Sequence, residues 1–472
     1  MSKPLQAESA DAPRVQAGIS TTIAEFAHTL RYDAIPSAVR ERARHLILDA
    51  CGIALAASRE PYAASFLAGL QTLGESGQSS IIGLAARLTI RDAAIMNGAL
   101  VHGLDFDDTH MQAVVHATAV SLPCALVIAE KQGCSGRELL TAYLIGMEVA
   151  IRLGAAANFG FHHRGLHATG IVGHFSSAVV AARLLGLDVA GIRTAQGIAG
   201  STAMASQQFV DDGAWNKRLH PGWGAAAGIT AAALAKGGFI APTLPYEGRF
   251  GLYRNLCDDA ESLDLSAITE GLGERWTATE SAVKPFPTCH FTHGVADAAL
   301  ELRKQHRIDP ASITRVRALI PAQTIPVIAE PAAAKIRPGS DYDAKFSTQY
   351  IVAACLLRGR FGLAELAPEV LNDAEILALA NKVVCEVDPD ADFPRYYSGA
   401  LIVTTDDGRE YLHRERINRG APERAVSDAE IVEKFKANAR RAVSPAAADR
   451  ICESVLEMEE MDGVTLMSRL RG

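Results

Sequence analysis

Residues 37–58, SAVRERARHLILDACGIALAAS, carry the pattern that most limits how this chain can fold. Val39, Ala43, Leu46, Ile47, Ala50, Ile53 and Ala54 recur at the spacing of one helix face. The same texture returns at residues 65–74 and 90–104 and in AVSLPCALVIAEKQG. It continues in SGRELLTAYLIGMEVAIRLGAAA and the small-residue run within 211–239. Apolar residues make up 49% of the chain and aromatics only 6%, so the core must be built mainly from Ala, Leu, Ile and Val. Alanine has the best helix propensity and lets helix axes approach closely, which favours helix packed on helix. Thr22 with Glu25 has capping-box spacing and predicts a helix through about Leu30. Ser427 with Glu430 repeats that spacing, and two helices are expected from there to Gly472.

After about residue 280 the texture changes. KPFPTCHFTHGVADAALELRKQH predicts a proline-stiffened turn feeding a helix, and RVRALIP predicts a strand. DAKFSTQYIVAACLLRG reads as a helix whose start carries Lys345, Ser347 and Tyr350. NKVVCEVDPD and GALIVTTDDGREYLH read as strands, the second a hairpin about Asp407–Gly408. The expected fold class is therefore mainly α. A large all-helical domain spans 18–275 plus 415–472, and a smaller α+β lid domain is inserted at 276–414. Residues 1–17, polar and without the apolar core of a signal peptide, are expected to be a flexible tail.

The formal charge of −8, with no run of like charge, offers no basic stripe for phosphates, so nucleic acid is not an expected partner. No uninterrupted apolar run reaches the roughly 18 residues of a membrane span, the nearest being 224–235. Eight widely spaced cysteines without a CxxC pair argue against a zinc ribbon or a thiolate-held cluster and fit a reducing compartment. A soluble cytoplasmic protein is the expectation.

Chemistry concentrates in AIMNGALVHGLDFDDTHMQAVVH, residues 94–116. If helix continues from Asn97, Val101, Asp105, Asp108 and Thr109 share a face, and Asp107 points elsewhere. Acids and a hydroxyl beside His102, His110 and His116 suit a site that moves protons. Taken singly, each aspartate reads better as a helix cap, and His102, His110 and His174 read better as satisfied core residues. Carboxylates and imidazoles also permit a metal, but no HExxH or EF-hand spacing surrounds them, so none is expected. Asp49 reads as a partly buried polar group. FGFHHRGLHATGIVGHF brings His162, His163, His167 and His174 around glycines, and a helix start at Gly165–Gly170 would offer backbone N–H groups to an anion. Lys217, Arg218 and His220, between Trp215 and Trp223, are candidate carboxylate ligands.

The run NGALVHGLDFDDTH, the LDACGIALA helix, HPGWGAAAGITAAALAKGGF and KPFPTCHFTHGVADAA, in this order over nearly the whole chain, resemble the MmgE/PrpD family. That resemblance implies a helical domain with an α+β lid, a homodimer, and no metal or other cofactor. Family members are 2-methylcitrate dehydratases, cis-aconitate decarboxylases and an iminodisuccinate epimerase. The implied function is a cofactor-independent lyase acting on a small anionic di- or tricarboxylate. An isomerase or epimerase using the same proton chemistry and a non-catalytic carboxylate binder are the alternatives. The decarboxylase pocket falls on Asp105, Thr109, His116, His167, Lys217 and Tyr350, and a further histidine position falls on Cys289 or His290, flanked by Lys284 and His293. MQAVVHATAVS replaces the run that the dehydratases carry, which points away from 2-methylcitrate. Asp105, Thr109, His116, His167 and Tyr350 are thus expected in the chemistry, and Lys217, Lys284, His290 and His293 at the substrate.

Overall fold

The structure, a computed structural model, describes residues 18–74 and 77–471; the expected N-terminal tail lies outside the described residues. Helices dominate, accompanied by a two-stranded ribbon and one four-stranded sheet, so the fold is mainly α with a small α+β part.

One apolar core runs from Ile23 to Val283 and takes in Ile431 to Leu470. At its centre the helix Asn216–Lys236 packs against Ile90–His102 and Ala168–Leu184. Glycine makes that approach possible. A Cβ at Gly98 would stand 2.4 Å from the Cα of Gly222, and one at Gly222 would stand 2.2 Å from the carbonyl oxygen of Ile95. Any side chain there would push the helices apart, and with them the polar residues at their ends.

A second core surrounds the four-stranded sheet and receives Met111, Val114 and Phe209 from the helical part. The strand order is Val383–Val387, Ile313–Ile320, Gly399–Thr405, Glu410–Glu415; the first pair is parallel and the others antiparallel. Ile313, Val316, Ala318 and Ile320 are buried at alternating or near-alternating positions, and helix His293–His306 covers the sheet. The hairpin turns at Asp407–Gly408, where Gly408 has φ +78° and Asp407 accepts a hydrogen bond from the Arg409 N–H.

Several local expectations change. Helix Ile19–Thr29 starts before Thr22, because the Glu247 carboxylate accepts from the Ile19 N–H at 2.9 Å and no side chain caps the helix. Ser427 and Glu430 do form a reciprocal capping box. Three helices follow it: Asp428–Ala439, Pro445–Leu456 and Gly463–Leu470. Among the described residues one helix, Gly136–Ala156, is long and apolar enough to cross a membrane, and 94% of its apolar window is buried in the protein.

Candidate active site

Helix Ile90–His102 ends short of the acidic cluster, so the single face expected for Val101, Asp105, Asp108 and Thr109 does not form. Asp105 sits at φ +51°, a left-handed conformation that no right-handed helix can absorb. Arg218 closes the helix end. Its Nε donates to the Gly103 carbonyl at 2.9 Å, and its guanidinium lies 4.1 Å from the ring centres of both Tyr62 and Tyr342. Arg218 also pairs with Asp341 Oδ2 at 3.4 Å and does not line the cavity described below, so it acts as a structural clamp.

Its neighbour Lys217 turns the other way and places Nζ 3.0 Å from Asp105 Oδ1. Lys284 Nζ reaches the same oxygen at 2.7 Å and the Asp105 carbonyl at 3.0 Å. All three residues are buried. Burial alone would raise the Asp105 pKa, but the two ammonium groups overcome it and hold the carboxyl well below its ordinary range.

Asp107, expected to point away, lies at the heart of the cluster. Its Oδ2 accepts from His102 Nδ1 at 2.8 Å and stands 3.5 Å from His116 Nδ1. Burial opposes ionisation, yet the two imidazoles and Lys284 pull its pKa below the usual carboxylate value. The His102 ring centre is 4.6 Å from that of His116 and 5.7 Å from that of His167, so His102 belongs to the cluster and is not an isolated core residue. Asp108 is turned into the core, where burial first and then Asp107 and Asp49 push its carboxyl up to about 7.

The loop 109–116 is fixed at both ends. Thr109 and Ala282 exchange backbone hydrogen bonds of 2.9 Å, and the His116 N–H donates to Thr169 Oγ1 at 3.1 Å. His116 Nδ1 faces the Asp108 carbonyl oxygen at 3.0 Å. A carbonyl oxygen only accepts, so Nδ1 carries the proton and Nε2 keeps its lone pair. Burial dominates in lowering the pKa values of His116 and His167 well below the ordinary value, as it does for His290 and His293.

These groups border a cavity of about 700 Å³. Asp105, Thr109, His116, His167, Lys217 and both Cys289 and His290 line it, together with Phe159, Phe209, Phe291 and Phe346. Lys284 stands behind Asp105, and His293 behind His290 with ring centres 4.5 Å apart. Tyr350 is not brought to this wall; its hydroxyl donates to the Glu365 carbonyl at 2.7 Å. His220 is drawn in through its Nδ1, 3.0 Å from that of His167. Buried Asp105 Oδ2, His102 Nε2, His167 Nε2 and His290 Nδ1 have no hydrogen-bond partner among the described residues. Leaving such atoms unpaired costs about 1–3 kcal/mol each, and Asp105, His167 and His290 among them line the cavity.

Backbone strain collects at the same place. Asp105, Val114 and Phe159 all have positive φ and all line the cavity. For β-branched Val114 this conformation costs on the order of 1–3 kcal/mol and persists because the His110–Val115 backbone bridge imposes it. Two donor sets have the chemistry to hold a divalent ion: ring nitrogens of His102, His116 and His167, and atoms of Asp105, Asp107 and His116, each set within 4.8 Å.

The helical part and the part around the sheet each match a known domain. The MmgE/PrpD N-terminal domain matches residues 21–263 and the MmgE/PrpD C-terminal domain residues 286–459. A cis-aconitate decarboxylase of Homo sapiens is 29% identical over 96% of this chain and 94% of its own. The cis-aconitate decarboxylase-like protein oryM of Aspergillus oryzae is 26% identical over 94% of this chain and 95% of its own. A 2-methylcitrate dehydratase of Salmonella typhimurium is 24% identical over 92% and 93%. With both domains matched across most of its length, the chain belongs to the MmgE/PrpD family.

Proposed function

We propose that this protein is a lyase that works without metal or organic cofactor on a small di- or tricarboxylate, moving a proton at a carbon next to a carboxylate. The observation that carries this reading is the meeting of Lys217, Asp105 and His116 at one cavity wall. Asp105 and His116 offer ligand-type atoms within 4.8 Å of each other, and Lys217 is ion-paired to Asp105. The names of the relatives, decarboxylases and a dehydratase, support the same class.

Such chemistry places negative charge on a carbon already beside a carboxylate. Lys217 and His167 hold the substrate carboxylates, and the fixed ammonium groups of Lys217 and Lys284 stabilise the charge as it spreads into them. Each tenfold in rate requires about 1.4 kcal/mol of such stabilisation. His116, its Nδ1–H anchored on the Asp108 carbonyl, exchanges the proton at carbon through Nε2. Thr109 Oγ1, 3.4 Å from His116 Nδ1, orients the ring or the departing group. Tyr350 takes no direct part.

Residues 276–414 serve as the lid over 18–275 plus 415–472, and the protein acts as a homodimer. Purified protein incubated with citrate-like, aconitate-like and aspartate-like acids tests the reading. Release of CO₂ or a change in C=C absorbance is expected from one of the first two. Turnover of none of the three classes, with no binding by calorimetry, would overturn it.

A further inference from the structure

We propose that Asn418 is a positioning residue of this site: its side-chain amide fixes the proton of His290 on Nδ1 and so makes that ring a hydrogen-bond donor to the bound acid. This rests on the lyase reading above for the acid it serves, and it adds a residue that does not itself line the cavity.

Asn418 is fully buried where the chain returns from the strand Glu410–Glu415 to the helical part. Its side chain meets two groups. Oδ1 accepts from the Tyr397 N–H at 3.0 Å, and Nδ2 lies 3.0 Å from His290 Nε2. The first bond settles the second. A backbone N–H only donates, so the amide oxygen faces Tyr397 and the amide nitrogen faces His290. That nitrogen has no lone pair to offer, and His290 Nε2 is therefore the acceptor. Burial first and then Lys284, with Lys434 adding to them and Asp105 opposing, keep the ring neutral. Its one proton stands on Nδ1.

His290 lines the cavity, and its Nδ1 has no hydrogen-bond partner among the described residues. That N–H is what the ring has left to give a ligand. His116 is set in the opposite sense, since its Nδ1–H is held by the Asp108 carbonyl and its Nε2 keeps the lone pair. The cavity thus presents one proton acceptor and one proton donor, and in each ring the choice is made by a neighbour at the other nitrogen.

Asn418 also bears on the loop that carries His116. Tyr397, held at its N–H by Asn418, lies edge-on to His290 with ring centres 5.0 Å apart and donates its hydroxyl to the Met111 carbonyl at 2.8 Å.

The test reads the tautomer directly. In ligand-free protein labelled with ¹⁵N-histidine, long-range proton–nitrogen NMR distinguishes which ring nitrogen is protonated. The His290 signal among the 14 histidines is the one missing from His290→Gln. Wild-type protein is expected to show His290 protonated at Nδ1. Asn418→Asp keeps an acceptor for Tyr397 but presents only an acceptor to Nε2. The proton is expected to move there and kcat/KM to fall about tenfold or more, the scale of one lost buried hydrogen bond. Tyr397→Phe frees the loop but leaves Asn418 on His290, so it should keep the wild-type tautomer and separates this effect from general loosening. A wild-type ring protonated at Nε2 overturns the proposal, as does Asn418→Asp with the proton moved and kcat/KM unchanged. Should Asn418→Asp fail to fold, the wild-type spectrum decides alone. If none of the citrate-like, aconitate-like and aspartate-like acids is turned over, the lyase reading falls and the spectrum still decides the proposal.

Discussion

Lys284 grips Asp105 twice, at the carboxylate oxygen, 2.7 Å, and at the backbone carbonyl, 3.0 Å, and so holds the residue in its left-handed conformation while Lys217 shares the same oxygen from the cavity side. One segment from each of three distant stretches of chain is fixed by these bonds. The cationic wall and the strained turn are therefore a single device.

Lys284→Met should show it. Removing one partner of a buried pair leaves an uncompensated charge and costs about 3–5 kcal/mol. Urea unfolding is expected to report a loss of that size together with loss of turnover. Lys284→Arg should not restore either, because Lys284 is fully buried and the bulkier planar guanidinium does not fit where a single Nζ meets both oxygens. An unchanged midpoint would remove Lys284 from the device.

Asp107→Asn tests the other acid. The amide can still accept from His102 Nδ1 but carries no charge toward His116, 3.5 Å away. We expect kcat to fall about 10²–10⁴-fold with a small change in Tm. A large fall in Tm with preserved kcat would make Asp107 a structural residue.

How much of this was legible in the sequence is clearest from these two aspartates. Residue types and order pointed to the stretch 94–116, and Asp105, Thr109, His116, His167, Lys217 and His290 do meet at one cavity. Helical spacing misassigned Asp107, since periodicity assumes a helix that in fact ends at His102. Arg218 and Lys217 are adjacent and look alike in sequence; which one faces the cavity depends on Tyr62 and Tyr342, far away in the chain. His102 looked like a core residue because its partner, five residues on, becomes its neighbour only when the chain turns at Asp105. The resemblance carried Tyr350 along, but its hydroxyl is spent on Glu365. Strands and the hairpin were legible because alternation and an Asp–Gly turn are local signals.

Proton uptake should accompany binding. Burial holds His116, His167 and His290 neutral, and a bound polyanion would raise their pKa values back toward the ordinary 6.5. Calorimetry at about pH 6, in buffers of differing ionisation enthalpy, is expected to show net proton uptake. Buffer-independent heats would contradict this.

Stability should carry the mark of Asp108. Its folded pKa, about 7, exceeds the unfolded value near 3.8, so the folded state binds more protons between the two. The associated stability is fully present below about pH 3.8 and is lost as pH rises through about 7. The groups around it are Asp107, Asp49 and Thr118, with Arg42 and Tyr143 also in range. In Asp108→Asn this dependence disappears, so the variant should gain Tm relative to the wild type between pH 4 and 8. A constant difference across that range would contradict the assignment.

A chelator decides between the two uses of the histidine cluster. If the imidazoles of His102, His116 and His167 handle protons and substrate, exhaustive dialysis against EDTA leaves turnover unchanged. Activity lost on dialysis and restored by a divalent ion would make them metal ligands.

The most direct measurement is exchange at carbon. Wild-type protein, incubated in D₂O with the acid it turns over and followed by NMR, should place deuterium on the carbon next to a carboxylate. His116→Ala should lose that exchange by orders of magnitude while still binding the acid. Deuterium entering at the wild-type rate in His116→Ala, or no deuterium at carbon in the wild type, would contradict the account.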